Sequence, residues 1–154
     1  METTPLLYGL LGSVLSVAVV TDIRSHKIPN WLTLPAIGIG LLIHAWLNGV
    51  PGVLWALGGV LVSGLMLPWR ALGWGGGDVK LLAGVGALMG PIFALWTLLG
   101  AALAGGLLAL GVLVKRGVVQ ARFNGQSVHA GRMPYAPAIA LGAVFAWWRL
   151  HGGW

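Results

Sequence analysis

Long uncharged apolar stretches, separated by short polar connectors, run through most of this chain. The first, from Thr3 to Thr21, has about the ~20 residues that one helix needs to cross a bilayer. The next, from Ile28 to Trp69, is too long for one such helix, and the turn-forming sequence Asn-Gly-Val-Pro-Gly breaks it at 48–52. It therefore predicts two helices, near 31–47 and 53–69.

Two further uncharged stretches complete the pattern. The stretch from Leu81 to Val114 is broken at Met89-Gly90-Pro91. It predicts a short helix from about Asp78 and a longer one from Pro91, because proline suits a first helical turn. The stretch from Met133 to Leu150 predicts a last helix. The pattern indicates an all-α, polytopic integral membrane protein of about six transmembrane helices, in a single membrane-embedded domain over 1–154.

Composition supports a bilayer as the solvent. The chain is 58% hydrophobic and 8% charged, with a mean hydropathy of +0.90, far from the balance of soluble domains. Its first residues, Met-Glu-Thr-Thr, lack the basic region of a signal peptide, so we expect the first helix to be retained. The sequence contains no cysteine, which excludes a disulfide framework, a zinc-thiolate site and a cysteine nucleophile.

Basic residues give the expected orientation. Eight of the nine Lys and Arg residues fall in the connectors after the first, third and fifth predicted helices: Arg24, Lys27, Arg70, Lys80, Lys115, Arg116, Arg122 and Arg132. The positive-inside rule makes that face cytoplasmic and puts both termini on the non-cytoplasmic side. Arg149 is the exception, and among the tryptophans of the predicted interfacial belts Trp96 fits least well.

The basic residues form no continuous run, so we expect lipid contact and no nucleic-acid binding.

The two aspartates are the candidate chemistry. Asp22 ends the first predicted helix and Asp78 begins the fourth, so both reach the cytoplasmic face. Acids in or beside a membrane span are costly and mark functional sites. The alternative interpretation is structural: both aspartates are charges at the membrane interface, or Asp78 is the N-cap of its helix. The fourth helix spans only ~18 Å against a hydrocarbon core of ~30 Å, which predicts that Asp78 is recessed in a hydrated pocket.

Two carboxylates in one pocket hold a single proton more easily than none, so one activates water while the other donates to the leaving group. The start of a helix favours Asp78 as the anion, and the end of a helix favours Asp22 as the acid. Gly75, Gly76 and Gly77 predict a loop that faces the substrate, or else a flexible turn. Lys80 either supports the pair or snorkels at the border.

Three segments resemble the type IV prepilin peptidase family, in the family's order. They are DIRSHKIPNWLTLP from Asp22, GGGDVKLLAGVGALMG from Gly75, which contains the Gly-x-Gly-Asp motif, and MPYAPAIALGA from Met133. The resemblance implies a membrane aspartic endopeptidase that removes the basic leader of prepilins or pseudopilins at the cytoplasmic face of the inner membrane. It also implies that Asp22 and Asp78 are the catalytic pair.

The chain departs from the larger members in lacking their N-terminal cytoplasmic domain and paired cysteine motifs, which puts N-methyltransferase activity in doubt. In this it resembles the short peptidases of tight-adherence (Flp-type) pilus systems. No metal is expected, since the four histidines, His26, His44, His129 and His151, lack ligand spacing, and no cofactor is expected either. The alternative function is a proton-coupled transporter or channel with two titrating aspartates, which predicts acids nearer the midplane and an internal repeat.

Overall fold

The computed structural model describes residues 3–65, 76–115 and 135–152. Within them the chain forms five helices, which we number in chain order: α1 Thr3–Ser25, α2 Asn30–Ser63, α3 Gly76–Met89, α4 Pro91–Lys115 and α5 Ala136–His151. The expected all-helical class is confirmed. Among the described residues, the stretches long and apolar enough to cross a membrane are Pro5–Ser25, Asn30–Ser63 and Pro91–Leu108.

The backbone of α2 leaves the helical conformation at Gly49, with φ 59° and ψ −139°. A positive φ is easily adopted only by glycine, so this residue fits the break. Soon after it, the backbone at Gly52 lies directly against the carbonyl of His44. The break falls inside the turn-forming sequence at 48–52.

Contacts with α3 give the direction of each half of α2. In the first half, Asn30 meets Lys80 and Gly40 meets Ala87, so 30–48 and α3 run in the same direction. In the second half, Trp55 contacts Gly90 and Gly59 contacts Gly86. The part of α2 after Gly49 therefore runs antiparallel to α3. The chain therefore reverses within α2, as the two helices expected over 31–47 and 53–69 require.

The short helix α3 lies at the centre of the bundle. All eight residues of 81–88 are buried, whereas a helix with one face towards solvent or lipid alternates buried and exposed positions. Close approach is possible because Gly59 and Gly86 meet backbone to backbone, as small residues permit between membrane helices. At its C-terminal end, Nε2 of the buried His44 donates a hydrogen bond to the carbonyl of Leu88 at 3.0 Å.

The helices α4 and α5 pack together through Gly100 and Gly142, where the Cα of Gly142 would be 2.8 Å from a Cβ at residue 100. The guanidinium carbon of Arg149 lies 5.2 Å from the ring centroid of Trp96, a distance suited to a cation–π contact. These are the two residues that fitted the predicted charge and tryptophan pattern least well. Their contact supplies a local reason for both exceptions.

Two expected helix boundaries fall outside the described residues: the end of the third predicted helix at Trp69 and the start of the last at Met133. At the first helix the structure corrects the sequence. Helix α1 continues past Thr21 to Ser25, so Asp22 lies in its last turn and the residues after it extend the helix by three positions. There the N–H of His26 donates to the carbonyl of Asp22 at 2.8 Å.

Candidate active site

Asp22 is a buried carboxylate, only 5% exposed, near the C-terminal end of α1. Its Oδ2 accepts a hydrogen bond of 2.8 Å from the backbone N–H of Ala136, the first residue of α5. The first N–H groups of a helix have no partner within the helix, and the macrodipole makes that end attractive to anions. The start of α5 thus forms a binding site for this carboxylate, and Ala136 joins two segments far apart in sequence.

Asp78 is also buried, 8% exposed, in the first turn of α3. The residue before it, Gly77, lies against Ile28 in the connector that follows α1. The two aspartates are therefore buried at the same end of the bundle, on different helices, and Asp22 is bonded to the first residue of α5.

The site lies at the end of the bundle where α1 ends and α2 and α3 begin, but it is set back from the end of α4. Tyr135 contacts α4 at the carbonyl of Ala101 and at Gly105. From Gly105 the helix continues to Lys115, a further ~15 Å at 1.5 Å per residue. The recess of Asp78 in a hydrated pocket stays a prediction.

The glycines before Asp78 are arranged differently from the expected loop. Gly76 and Gly77 form the first turn of α3, and Gly75 lies outside the described residues. A Cβ on Gly77 would be 3.0 Å from the Cβ of Ile28, in the connector between α1 and α2. At Gly77, glycine therefore allows the start of α3 to approach that connector, and its role towards a substrate stays a prediction.

Lys80 is exposed on the surface at this end of the bundle. Its Nζ donates to Oδ1 of Asn30 at 2.9 Å, which links the first turns of α2 and α3. The side chain predicted to support the aspartate pair thus also bonds a neighbouring helix.

The predicted division of labour between the aspartates loses its reason. Helix position favours Asp78 as the anion and Asp22 as the acid, but Asp22 lies both in the last turn of α1 and at the N-terminus of α5. These two helix ends act on its carboxylate in opposite senses, because a C-terminus disfavours an anion and an N-terminus favours it. Helix position alone therefore does not assign the roles, and the assignment stays a prediction.

Sequence reasoning missed Tyr135 and Ala136 as members of the site. The signal is the Met-Pro-Tyr-Ala-Pro sequence at 133–137, because prolines favour a helix start and the first N–H groups of a helix have no partner within it. That signal predicts only where the last helix begins, not which carboxylate its N–H groups bind. Among the described residues, no group of three or more His, Asp or Glu side chains is arranged to hold a metal ion.

Comparison with known proteins gives the family. Residues 9–110 match the model of the type IV leader peptidase family, and the chain belongs to that family. The matched region contains both Asp22 and Asp78.

Two curated relatives are similar to this chain. The prepilin leader peptidase/N-methyltransferase of Bacillus subtilis is 31% identical over 143 residues, which cover 88% of this chain and 52% of the relative. The prepilin peptidase EppA of Methanothermobacter thermautotrophicus is 37% identical over 78 residues, which cover 45% of this chain and 20% of the relative. The matches thus span about half of one relative and a fifth of the other. No solved structure matches the chain significantly.

Proposed function

We propose that this protein is a membrane aspartic endopeptidase that cleaves the N-terminal leader from prepilins or pseudopilins. The observation that carries the proposal is the burial of two aspartates, Asp22 and Asp78, at the same end of the bundle, with Asp22 bonded to the start of α5. Family membership adds the reaction class. The proposal is limited to leader cleavage and does not include N-methylation.

In the proposed mechanism the two aspartates share one proton. The ionised member removes a proton from a water molecule, which attacks the carbonyl carbon of the scissile peptide bond. The protonated member donates to the amide nitrogen as the C–N bond breaks. The recess favours this chemistry, because partial exclusion of bulk water strengthens the interaction of both carboxylates with the reacting groups.

The proposed setting is the inner (plasma) membrane, with six crossings and the site towards the cytoplasm. The reversal at Gly49 supports the count, since α2 then supplies two crossings beside those of α1, α3, α4 and α5. The orientation rests on the basic connectors. Arg24, Lys27 and Lys80 fall at the end of the bundle that carries the aspartates, which is the cytoplasmic end under the positive-inside rule.

Co-expression with a candidate prepilin tests this function. The wild-type protein is expected to convert the prepilin to a shorter mature form, and Asp22→Asn and Asp78→Asn to abolish the conversion, because neither asparagine can take up or release the shared proton. Glu2→Gln is the matched control, since it removes the third acidic residue of the chain. Leader removal that survives either aspartate substitution contradicts the dyad. A prepilin left uncleaved by the wild type contradicts that substrate.

A proton-coupled transporter remains the second function class. It predicts acids near the middle of the bundle, whereas Asp22 and Asp78 lie towards one end of α1 and α3. We therefore give the peptidase precedence.

A further inference from the structure

The start of α5 binds Asp22, and Tyr135 is the side chain that anchors this point to α4. Its hydroxyl donates a hydrogen bond of 2.8 Å to the carbonyl of Ala101, and it is the residue immediately before the N–H that binds Asp22. A shift of Tyr135 along α4 would therefore carry the N–H of Ala136 away from its carboxylate.

A slot on α4 receives the tyrosine ring. A Cβ built on Gly105 collides with the Cε2, Cζ and hydroxyl oxygen of Tyr135, so only glycine permits the ring to lie where it does. Glycine within a helix is destabilising relative to alanine. The buried Gly105 is thus an unfavourable choice for the helix itself, and the ring that lies against it explains its presence.

The same segment thus has contacts on both sides. Tyr135 is held on α4 by a hydrogen bond to Ala101 and by its packing on Gly105, and Ala136 binds the carboxylate of Asp22. The segment 135–136 therefore connects the position of Asp22 to that of α4.

We propose that Tyr135, seated against Gly105, is a positioning residue of the peptidase, which fixes the start of α5 so that the N–H of Ala136 holds the Asp22 carboxylate in its orientation. The inference rests on the proposed function for its kinetic consequence. Its structural consequence, the fixed position of the Ala136 N–H, is measurable without any substrate.

The kinetic test uses the purified protein in detergent with a prepilin. Tyr135→Ala is expected to lower kcat at least tenfold with KM within about twofold, because the substrate still binds while the aspartates are misplaced. Tyr135→Phe, which keeps the ring in the slot, is expected to recover most of that loss. Tyr8→Phe is the matched control: it alters the other tyrosine of the chain, whose hydroxyl lies 3.1 Å from Nε2 of His151, and is expected to leave kcat unchanged.

A double-mutant cycle separates this contact from general damage. Gly105→Ala fills the slot and is expected to lower kcat as Tyr135→Ala does. Because both act on one contact, the double variant is expected to lose no more than the worse single variant. The proposal is overturned if the loss of kcat in the double variant is the product of the two single losses. It is also overturned if kcat of Tyr135→Ala lies within twofold of wild type, or if only KM changes.

Amide hydrogen exchange supplies the readout that does not depend on activity. Exchange at Ala136 is expected to accelerate at least tenfold in Tyr135→Ala and to stay unchanged in Tyr8→Phe. Unchanged exchange in Tyr135→Ala overturns the positioning role. If exchange responds as expected while the wild type cleaves no prepilin, the positioning of Asp22 stands and the proposed function fails.

Discussion

The backbone N–H of Ala136 lies 2.8 Å from Oδ2 of Asp22 and donates a hydrogen bond to it. This bond ties the last turns of α1 to the first residue of α5. The carboxylate at the end of α1 is thus bound by the backbone at the start of α5. The buried Asp78 begins α3 at the same end of the bundle, where Gly77 lies against Ile28 of the connector after α1, so three helices meet there.

The reversal of the chain within α2 gives a first prediction about which residues lie on the same side of the membrane. Because α2 reverses at Gly49, a cysteine at Ser25 and one at Leu65 are expected to be labelled from the same side of the membrane, and one at Asn48 from the opposite side. The chain contains no cysteine, so each single substitution reports one position. Labelling with a membrane-impermeant thiol reagent, before and after permeabilisation, makes the measurement. Labelling of Leu65→Cys and Ser25→Cys from opposite sides would contradict the reversal.

The contact between Gly59 and Gly86 gives a second prediction. A Cβ at either position collides with the backbone of the other helix, so Gly59→Ala is expected to lower the free energy of unfolding by about 1–3 kcal/mol. Gly38→Ala lies in the same helix with nothing within 4 Å of the added methyl, and it is expected to be neutral or slightly stabilising. Thermal unfolding in detergent compares them. An equal free energy of unfolding for the two variants would contradict the close packing of α2 on α3.

The bond from His44 to Leu88 gives a third prediction. His44 is 9% exposed and its Nε2 donates to the carbonyl of Leu88 near the end of α3. His44→Leu leaves this carbonyl without that donor and is expected to cost about 1–3 kcal/mol of unfolding free energy. His151→Leu removes an exposed histidine and is expected to cost less than 1 kcal/mol. An equal effect of the two substitutions on the free energy of unfolding would contradict this role of His44.

Much of the fold follows from the distribution of charge along the chain. In a membrane protein the helices are the uncharged stretches, and the turn at 48–52 and the Gly90-Pro91 break mark where they end. That rule predicted the five described helices and the reversal in α2. It placed the end of α1 too early, because it ended the helix at the first charged residue, whereas the helix continues to Ser25.

The site was only partly predictable for a different reason. Asp22 and Asp78 stand out because acids are rare in this chain, with three Asp and Glu residues in all. Ala136 contributes only its backbone N–H, which no side-chain pattern reveals. The contact between Gly105 and Tyr135 depends on how α4 packs against the start of α5. This packing brings together residues 30 positions apart in the sequence. The glycines before Asp78 predict a loop or a flexible turn because glycine lets the backbone approach a substrate closely, yet Gly76 and Gly77 start α3.

The most direct measurement of the central claim is the rate of leader cleavage by purified protein, followed by mass spectrometry of both products. The wild type and Glu2→Gln are expected to release the same leader at similar rates. Asp22→Asn and Asp78→Asn, with the wild-type melting temperature, are expected to lose at least a thousandfold in kcat, since each removes one half of the acid–base pair. Either aspartate variant releasing the leader at more than a tenth of the wild-type rate would contradict the account.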